Sequence, residues 1–158
     1  MYPYGLKFSL QVTHPSIDPE MICSELGLDP EVSWKAGARR KNPKGKLLTG
    51  NRKETYCCFD LHLPNKNTEE FENAIKYWNR KFAKHKIFLN RIRSEGGTVD
   101  YFVGLFVDRN SGVTLDHSLL FELVNLGIGV SFDVYGSELS RRKSRIRAET
   151  SFPFSCRY

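Results

Sequence analysis

The stretch LDHSLLFELVNLGIGVSFDVY, residues 115–135, predicts a helix followed directly by a strand. Asp116 is a good N-cap, because its carboxylate can accept from the amides of the first turn. Leu115 before it and Leu120 after it are placed to form a hydrophobic staple, and Gly127 supplies the stop. Beyond the stop, Val130, Phe132 and Val134 alternate with Ser131, Asp133 and Tyr135, the period-two pattern of a strand. Upstream, Val99 to Val107 is nearly all apolar and reads as a central strand covered on both faces. Asp108 to Gly112 is a polar turn. The unit is strand, helix, strand.

The same punctuation occurs near the N-terminus. Lys7 to Thr13 alternates, with Phe8, Leu10 and Val12 on one face, and His14-Pro15-Ser16 breaks it. Asp18 caps, Pro19 suits the first helical position, Ile17 and Ile22 form the staple pair, and Gly27 stops a helix over 19–26. Val32 to Ala36 reads as a brief strand carrying Trp34, and Gly37 to Arg52 as a long loop. Tyr56 to Leu63 alternates again, with Cys57, Phe59, Leu61 and Leu63 opposite Tyr56, Cys58, Asp60 and His62. A long helix capped by Asn67 or Thr68 carries the stripe Phe71, Ile75, Trp78 and Phe82 and ends by about residue 86. The expected fold is α+β: a two-layer sandwich with a mixed sheet of four to five strands and three helices. The echo between 17–27 and 115–127 suggests two β-α-β units related by internal pseudo-symmetry.

The chain has 158 residues, of which 40% are hydrophobic. One domain of that size can bury a core without staples. Residues 1–136 read as that domain, with a long basic loop at 37–53, and 137–158 as a basic and aromatic extension. The N-terminus has no basic segment leading into an apolar run, and no apolar run approaches the roughly 20 residues of a membrane helix. A cytoplasmic protein without membrane contact is therefore expected. The four cysteines, Cys23, Cys57, Cys58 and Cys156, fit thiols in a reducing compartment. The adjacent Cys57 and Cys58 cannot chelate as a C-x-x-C turn does.

The net charge of +6 is unevenly distributed. Residues 35–53 hold eight Lys and Arg and no acid, and residues 141–147 hold five more, again without an acid. The remaining 11 basic residues face 18 acids, so two basic segments sit on an acidic body.

Two stretches together resemble a known family. They are His14 to Pro30 running on to Trp34-Lys-Ala-Gly37, and Leu115 to Tyr135. The capped helix, the Leu-Gly-Leu-x-Pro segment, the Trp-x-x-Gly loop and the late Asp-Val-Tyr strand resemble the bacterial domain of unknown function number 4279, over residues of about 6 to 136. The resemblance implies a bacterial cytosolic α+β domain of unassigned activity and supplies no catalytic residues. The basic tail after Tyr135 lies outside it.

The residues offer little for catalysis. His14, Asp60, His62 and Asp133 are the polar groups that could converge as an acid–base or metal site, but no H-x-x-x-H, H-E-x-x-H or D-x-D spacing occurs. Gly96-Gly97 and Gly127-Ile-Gly129 lack phosphate-loop or dinucleotide spacing and read as turns. The basic segments carry a positive argument, since a run of cations can neutralise phosphates with release of counterions. The expectation is a non-catalytic domain, without cofactor or metal, that binds nucleic acid or another polyanion. Its candidate contacts are Trp34, Arg39, Arg40, Lys41, Lys44, Arg141, Arg142 and Lys143. Lys76, Arg80 and Lys84 offer a third contact, and Trp34 and Tyr56 could stack on bases. The alternatives are a protein–protein module, such as an immunity-type protein docking an acidic partner, and an enzyme built on the His14 group.

Overall fold

A computed structural model of the chain describes residues 4–42, 44–63, 70–107 and 112–136. Five strands form one mixed sheet: β1 (Tyr4–His14), β2 (Val32–Trp34), β5 (Thr55–Asp60), β6 (Thr98–Val107) and β7 (Gly129–Tyr135). Their order is β2-β5-β1-β6-β7. The first four run antiparallel to their neighbours, and β7 joins β6 in parallel. A separate two-stranded hairpin, β3 (Arg39–Lys41) and β4 (Leu47–Asn51), lies between β2 and β5 in the chain.

The helices are α1 (Pro19–Leu26), α2 (Phe71–Phe82), α3 (Lys86–Ser94) and α4 (His117–Leu126). Ile22 and Leu26 of α1, Phe71, Ile75 and Phe82 of α2, Leu89 and Ile92 of α3, and Leu119 and Leu123 of α4 join one core. There they meet Phe8, Leu10, Val12, Cys57, Phe59, Tyr101 and Val103 of the sheet. All helices therefore cover one face, giving the two-layer α+β sandwich that the periodicities require.

Both expected β-α-β units exist, and the capping chemistry repeats. Asp18 Oδ1 accepts from the amide of Glu20 and Asp116 Oδ1 from that of Leu119, while Gly27 and Gly127 both close their helices at φ of 64° and 71°. The units differ in spacing. β7 lies beside β6, whereas β5 is inserted between the parallel strands β1 and β2. The segment β5-α2-α3-β6 in turn straddles β1. These two interleaved split β-α-β units form a ferredoxin-like core, to which α4 and β7 are appended.

Several boundaries differ from expectation. The long helix is capped by Glu70 rather than by Asn67 or Thr68, which lie outside the described residues. The helical run does not end near 86: a 3₁₀ turn, Ala83–His85, rotates its apolar face, and α3 continues to Ser94 with Phe88, Leu89 and Ile92 buried. The exposed setting of Ile87 masks this second stripe in the sequence. In α4 the inward face is Leu119, Leu123 and Leu126, so Leu120 is half exposed and not the staple partner of Leu115. The expected loop at 37–52 contains the β3–β4 hairpin.

The sheet is buried on both sides along β6 from Tyr101 to Leu105, as its continuous apolar run predicts. On the face away from the helices, Ser9, Tyr56, Cys58 and Phe102 are also buried, and Phe106 stacks on Tyr135 at 5.0 Å. At the edge strand β7 the expected faces are partly reversed: Tyr135 is buried, while Phe132 and Val134 on the helix side are exposed.

Gly97 is fixed by packing. A Cβ there would lie 2.8 Å from Ile92 Cγ2 and closer still to the carbonyl of Thr13, so α3 and β1 approach through the missing side chain. Gly97→Ala is expected to destabilise the fold by about 1–3 kcal/mol, as overpacking does. Gly112→Ala has open space around it. By chemical denaturation it should stay within about 0.5 kcal/mol of the parent.

The cap carboxylates also set an acid limit. Asp18 is held below its ordinary pKa by Lys35 and the Glu20 amide, and Asp116 by the amide of Leu119 and the hydroxyl of Ser118. A depressed carboxyl stabilises the fold above its unfolded pKa and loses that contribution as pH falls through the folded value. Stability should therefore fall below about pH 4, the ordinary carboxylate range. Asp116→Asn keeps a capping oxygen, so thermal melts from pH 6 to 2 should show a shallower acid slope for the variant.

Candidate nucleic-acid interface

The basic segment 35–53 forms an ordered arm. β2 pairs with β5 through Val32↔Cys58 and Trp34↔Tyr56. Past Trp34 the two chains stay together, with Gly37 N donating to Arg52 O and Arg52 N to Ala38 O, both at 2.8 Å. They re-form a ladder at Arg39↔Asn51 and, after a bulge, at Lys41↔Leu47. The tip closes on Asn42, whose carbonyl accepts from Gly45 N and whose Oδ1 accepts from Lys46 N at 2.8 Å. Gly45 takes φ of 80°. Glycine suits that conformation in a tight turn because it has no Cβ to clash. The result is one long, interrupted hairpin whose outer half, β3–β4, leaves the edge of the main sheet.

Its base is anchored by polar groups that composition alone does not single out. Thr55, fully buried, donates from Oγ1 to Ile17 O at 2.7 Å and accepts from Ala36 N at 3.1 Å. Lys35 Nζ pairs with Asp18 Oδ2 at 2.5 Å, tying the arm to the α1 cap. Trp34 stacks on Tyr56 at 4.4 Å between centroids, and the Arg52 guanidinium lies 3.7 Å from its ring centroid.

This packing corrects the stacking expectation. Tyr56 is buried and cannot receive a base, and the Trp34 ring already contacts Tyr56 and Arg52. Trp34 secures the arm's root. The cations divide in the same way: Lys35 and Arg52 are engaged, whereas Arg39, Arg40, Lys41, Lys44, Lys46 and Lys53 are exposed. Among the described residues no carboxylate pairs with these six. Leu47 and Leu48 are the exposed apolar residues of the ribbon. Arg141, Arg142 and Lys143 lie outside the described residues.

The helical cations do not form one further patch. Arg80 lines the groove between α2 and α4, whereas Lys84 lines the cleft beside the end of α1. The acid–base group does not converge either. Asp60 pairs across the sheet with Ser9, and His14 lies five residues further along β1. That separation is about 17 Å at roughly 3.3 Å per residue. Asp133 is three strands from Asp60. At roughly 4.8 Å per strand they are about 14 Å or more apart. Among the described residues His62 approaches Asp60, at 3.8 Å, and Asp133 accepts from the hydroxyl of Tyr135. Among the described residues no group of three or more His, Cys, Asp or Glu is arranged to hold a metal.

The geometry of His14 accounts for it structurally. The ring is buried, and its Nδ1 accepts from the amides of Ser16 and Ile17 at 3.1 and 2.9 Å. An acceptor Nδ1 places the proton of the neutral ring on the other nitrogen. Nε2 then donates to Glu95 Oε2 at 3.1 Å. Glu95, also bonded by Arg91 Nε at 2.7 Å, is held below the ordinary carboxylate range chiefly by that guanidinium.

The family model described as Domain of unknown function (DUF4279) matches residues 4–137. The chain belongs to that family. No curated protein matches the chain, and no solved structure does. The DUF4279 match spans the whole five-stranded sheet and the β3–β4 arm, so the arm lies within the family domain. No helix among the described residues is long and apolar enough to cross a membrane.

Because His14 satisfies two amides at the turn from β1 into α1, His14→Ala should leave part-buried donors without their acceptor and a cavity where the ring was buried. A loss of about 1–3 kcal/mol is expected by urea denaturation.

Proposed function

We propose that this domain is a non-catalytic module that binds nucleic acid, with the β3–β4 ribbon as its docking element and residues 141–147 as a second basic contact. The observation that supports this is the ribbon's charge: six exposed cations, none paired with a carboxylate among the described residues, stand on a two-stranded arm with a fixed root. A two-stranded ribbon fits the major groove of duplex DNA, and its cations reach phosphates on either side. Exposed apolar Leu47 and Leu48 add contact area to the same arm. In this reading the protein works in a bacterial cytoplasm, where Cys23, Cys57 and Cys58 remain thiols, with burial pushing Cys57 up to about 12.

A second reading, a protein-docking module of the immunity type, draws on α4, where Leu120, Phe121 and Val124 are exposed together. A cluster of that kind is the usual mark of a protein contact. The two readings use different surfaces and separate by experiment.

Fluorescence anisotropy of labelled RNA and duplex DNA over a range of salt tests the first reading. Binding should weaken with salt at a log–log slope of several, near 0.9 per duplex phosphate contact. Arg39→Ala/Arg40→Ala/Lys41→Ala should reduce that slope by up to about three and leave stability within about 0.5 kcal/mol. Absence of binding at ~50 mM salt, where phosphate contacts remain strong, removes the nucleic-acid reading and leaves the α4 face as the surface to pursue.

A further inference from the structure

A cleft on the helical side, remote in chemistry from the basic arm, has the composition of a small-ligand site. It lies between the C-terminal end of α1 and the junction of α2 with the 3₁₀ turn, with a volume of about 240 Å³. At roughly 30 Å³ per water this holds about eight waters, the bulk of one substituted benzene ring. Tyr77, Trp78 and Phe82 supply aromatic walls, with Trp78 and Phe82 stacked at 5.5 Å. Lys81, Lys84 and His85 supply the polar lining, and Lys81 Nζ sits 5.5 Å from the centroid of Tyr77.

The two lysines are exposed and have no carboxylate partner among the described residues. Glu25 of α1 acts on His85. It opposes an anion near His85, whereas Lys81 and Lys84 favour one. Burial and Lys84 hold the His85 imidazole below its ordinary value, so a neutral His85 adds no charge to offset Glu25.

We propose that this cleft binds a small planar carboxylate, its ring against Tyr77 and Trp78 and its oxygens accepting from the Lys81 and Lys84 ammonium groups. An apolar-walled cleft with a few polar groups in its lining is the usual form of a small-molecule pocket. Charge-assisted hydrogen bonds to the carboxylate provide the discrimination against a neutral ring.

The chain has two tryptophans, so a ¹⁵N-indole-labelled sample gives two side-chain cross-peaks, assigned by Trp34→Phe. Sodium benzoate is the probe and benzamide its neutral counterpart. Benzoate should move the Trp78 cross-peak saturably, with Kd of about 1 mM or tighter. Benzamide should bind at least about tenfold more weakly, and Lys81→Ala/Lys84→Ala should raise Kd for benzoate by a similar factor. The same spectra report whether the variant is folded. The proposal is overturned if the Trp78 peak stays still at roughly 10 mM benzoate, well above that Kd. Equal binding of benzamide, or movement of the Trp34 peak alone, would also overturn it.

Discussion

The placement of β1 between β5 and β6 is the constraint on which the rest of the molecule depends. β1 pairs with β6 from Tyr4 to Thr13 and with β5 from Ser9 to His14, so the first strand is completed by strands that arrive much later in the chain. Both neighbours are antiparallel to it, and each crossover must pass over an intervening strand. With right-handed crossovers on a twisted sheet, α1 and the α2–α3 run are delivered to the same face. The apolar stripes of these helices then meet Phe8, Leu10 and Val12 along one side of β1. The contacts are long-range in sequence, and pairing of that kind slows folding relative to a bundle of local contacts.

The same arrangement determines what is left at the edges. On one side the sheet ends in β2, and the chain continues past it into the β3–β4 arm before returning as β5. The arm carries arginines and lysines along its exposed length. Charge of that kind on an edge hairpin also opposes unwanted strand pairing. On the other side the sheet ends in β7, with Phe132 and Val134 exposed. The basic arm therefore stands at the β2 edge of the main sheet as a separate hairpin. The polar line from buried Tyr101 through buried Asn79 to Glu122 at the surface, at 3.0 and 2.9 Å, ties the centre of the sheet to α2 and α4. It holds the α4 layer in register with the core.

The elements themselves are largely legible in the sequence. Asp18, Gly27, Asp116 and Gly127 mark both capped helices because a carboxylate oxygen and a left-handed glycine satisfy local backbone groups, which depends on no distant residue. Alternation places β1, β5 and most of β7 correctly, and the unbroken run from Val99 places β6 at the centre. Legibility fails where a local pattern is interrupted. The 3₁₀ turn at Ala83–His85 shifts the helical phase, so Phe88, Leu89 and Ile92 do not continue the stripe of α2. Both strands of the hairpin at 39–51 are exposed throughout, so no buried face imposes alternation on them.

For the candidate interface, the sequence alone determined where the positive charge lies, since the count of cations between 35 and 53 needs no coordinates. It also determined the α+β class, because helix caps and strand alternation are local properties. Only the tertiary structure decided that Trp34 is a packing group under Arg52 rather than a free stacking surface, and that Thr55 and His14 are anchors. Only it decided that Asp60, His14 and Asp133 stand apart on the sheet. The physical reason is register: which residues of distant strands face one another follows from how the crossovers stack the strands, and no local pattern encodes that order.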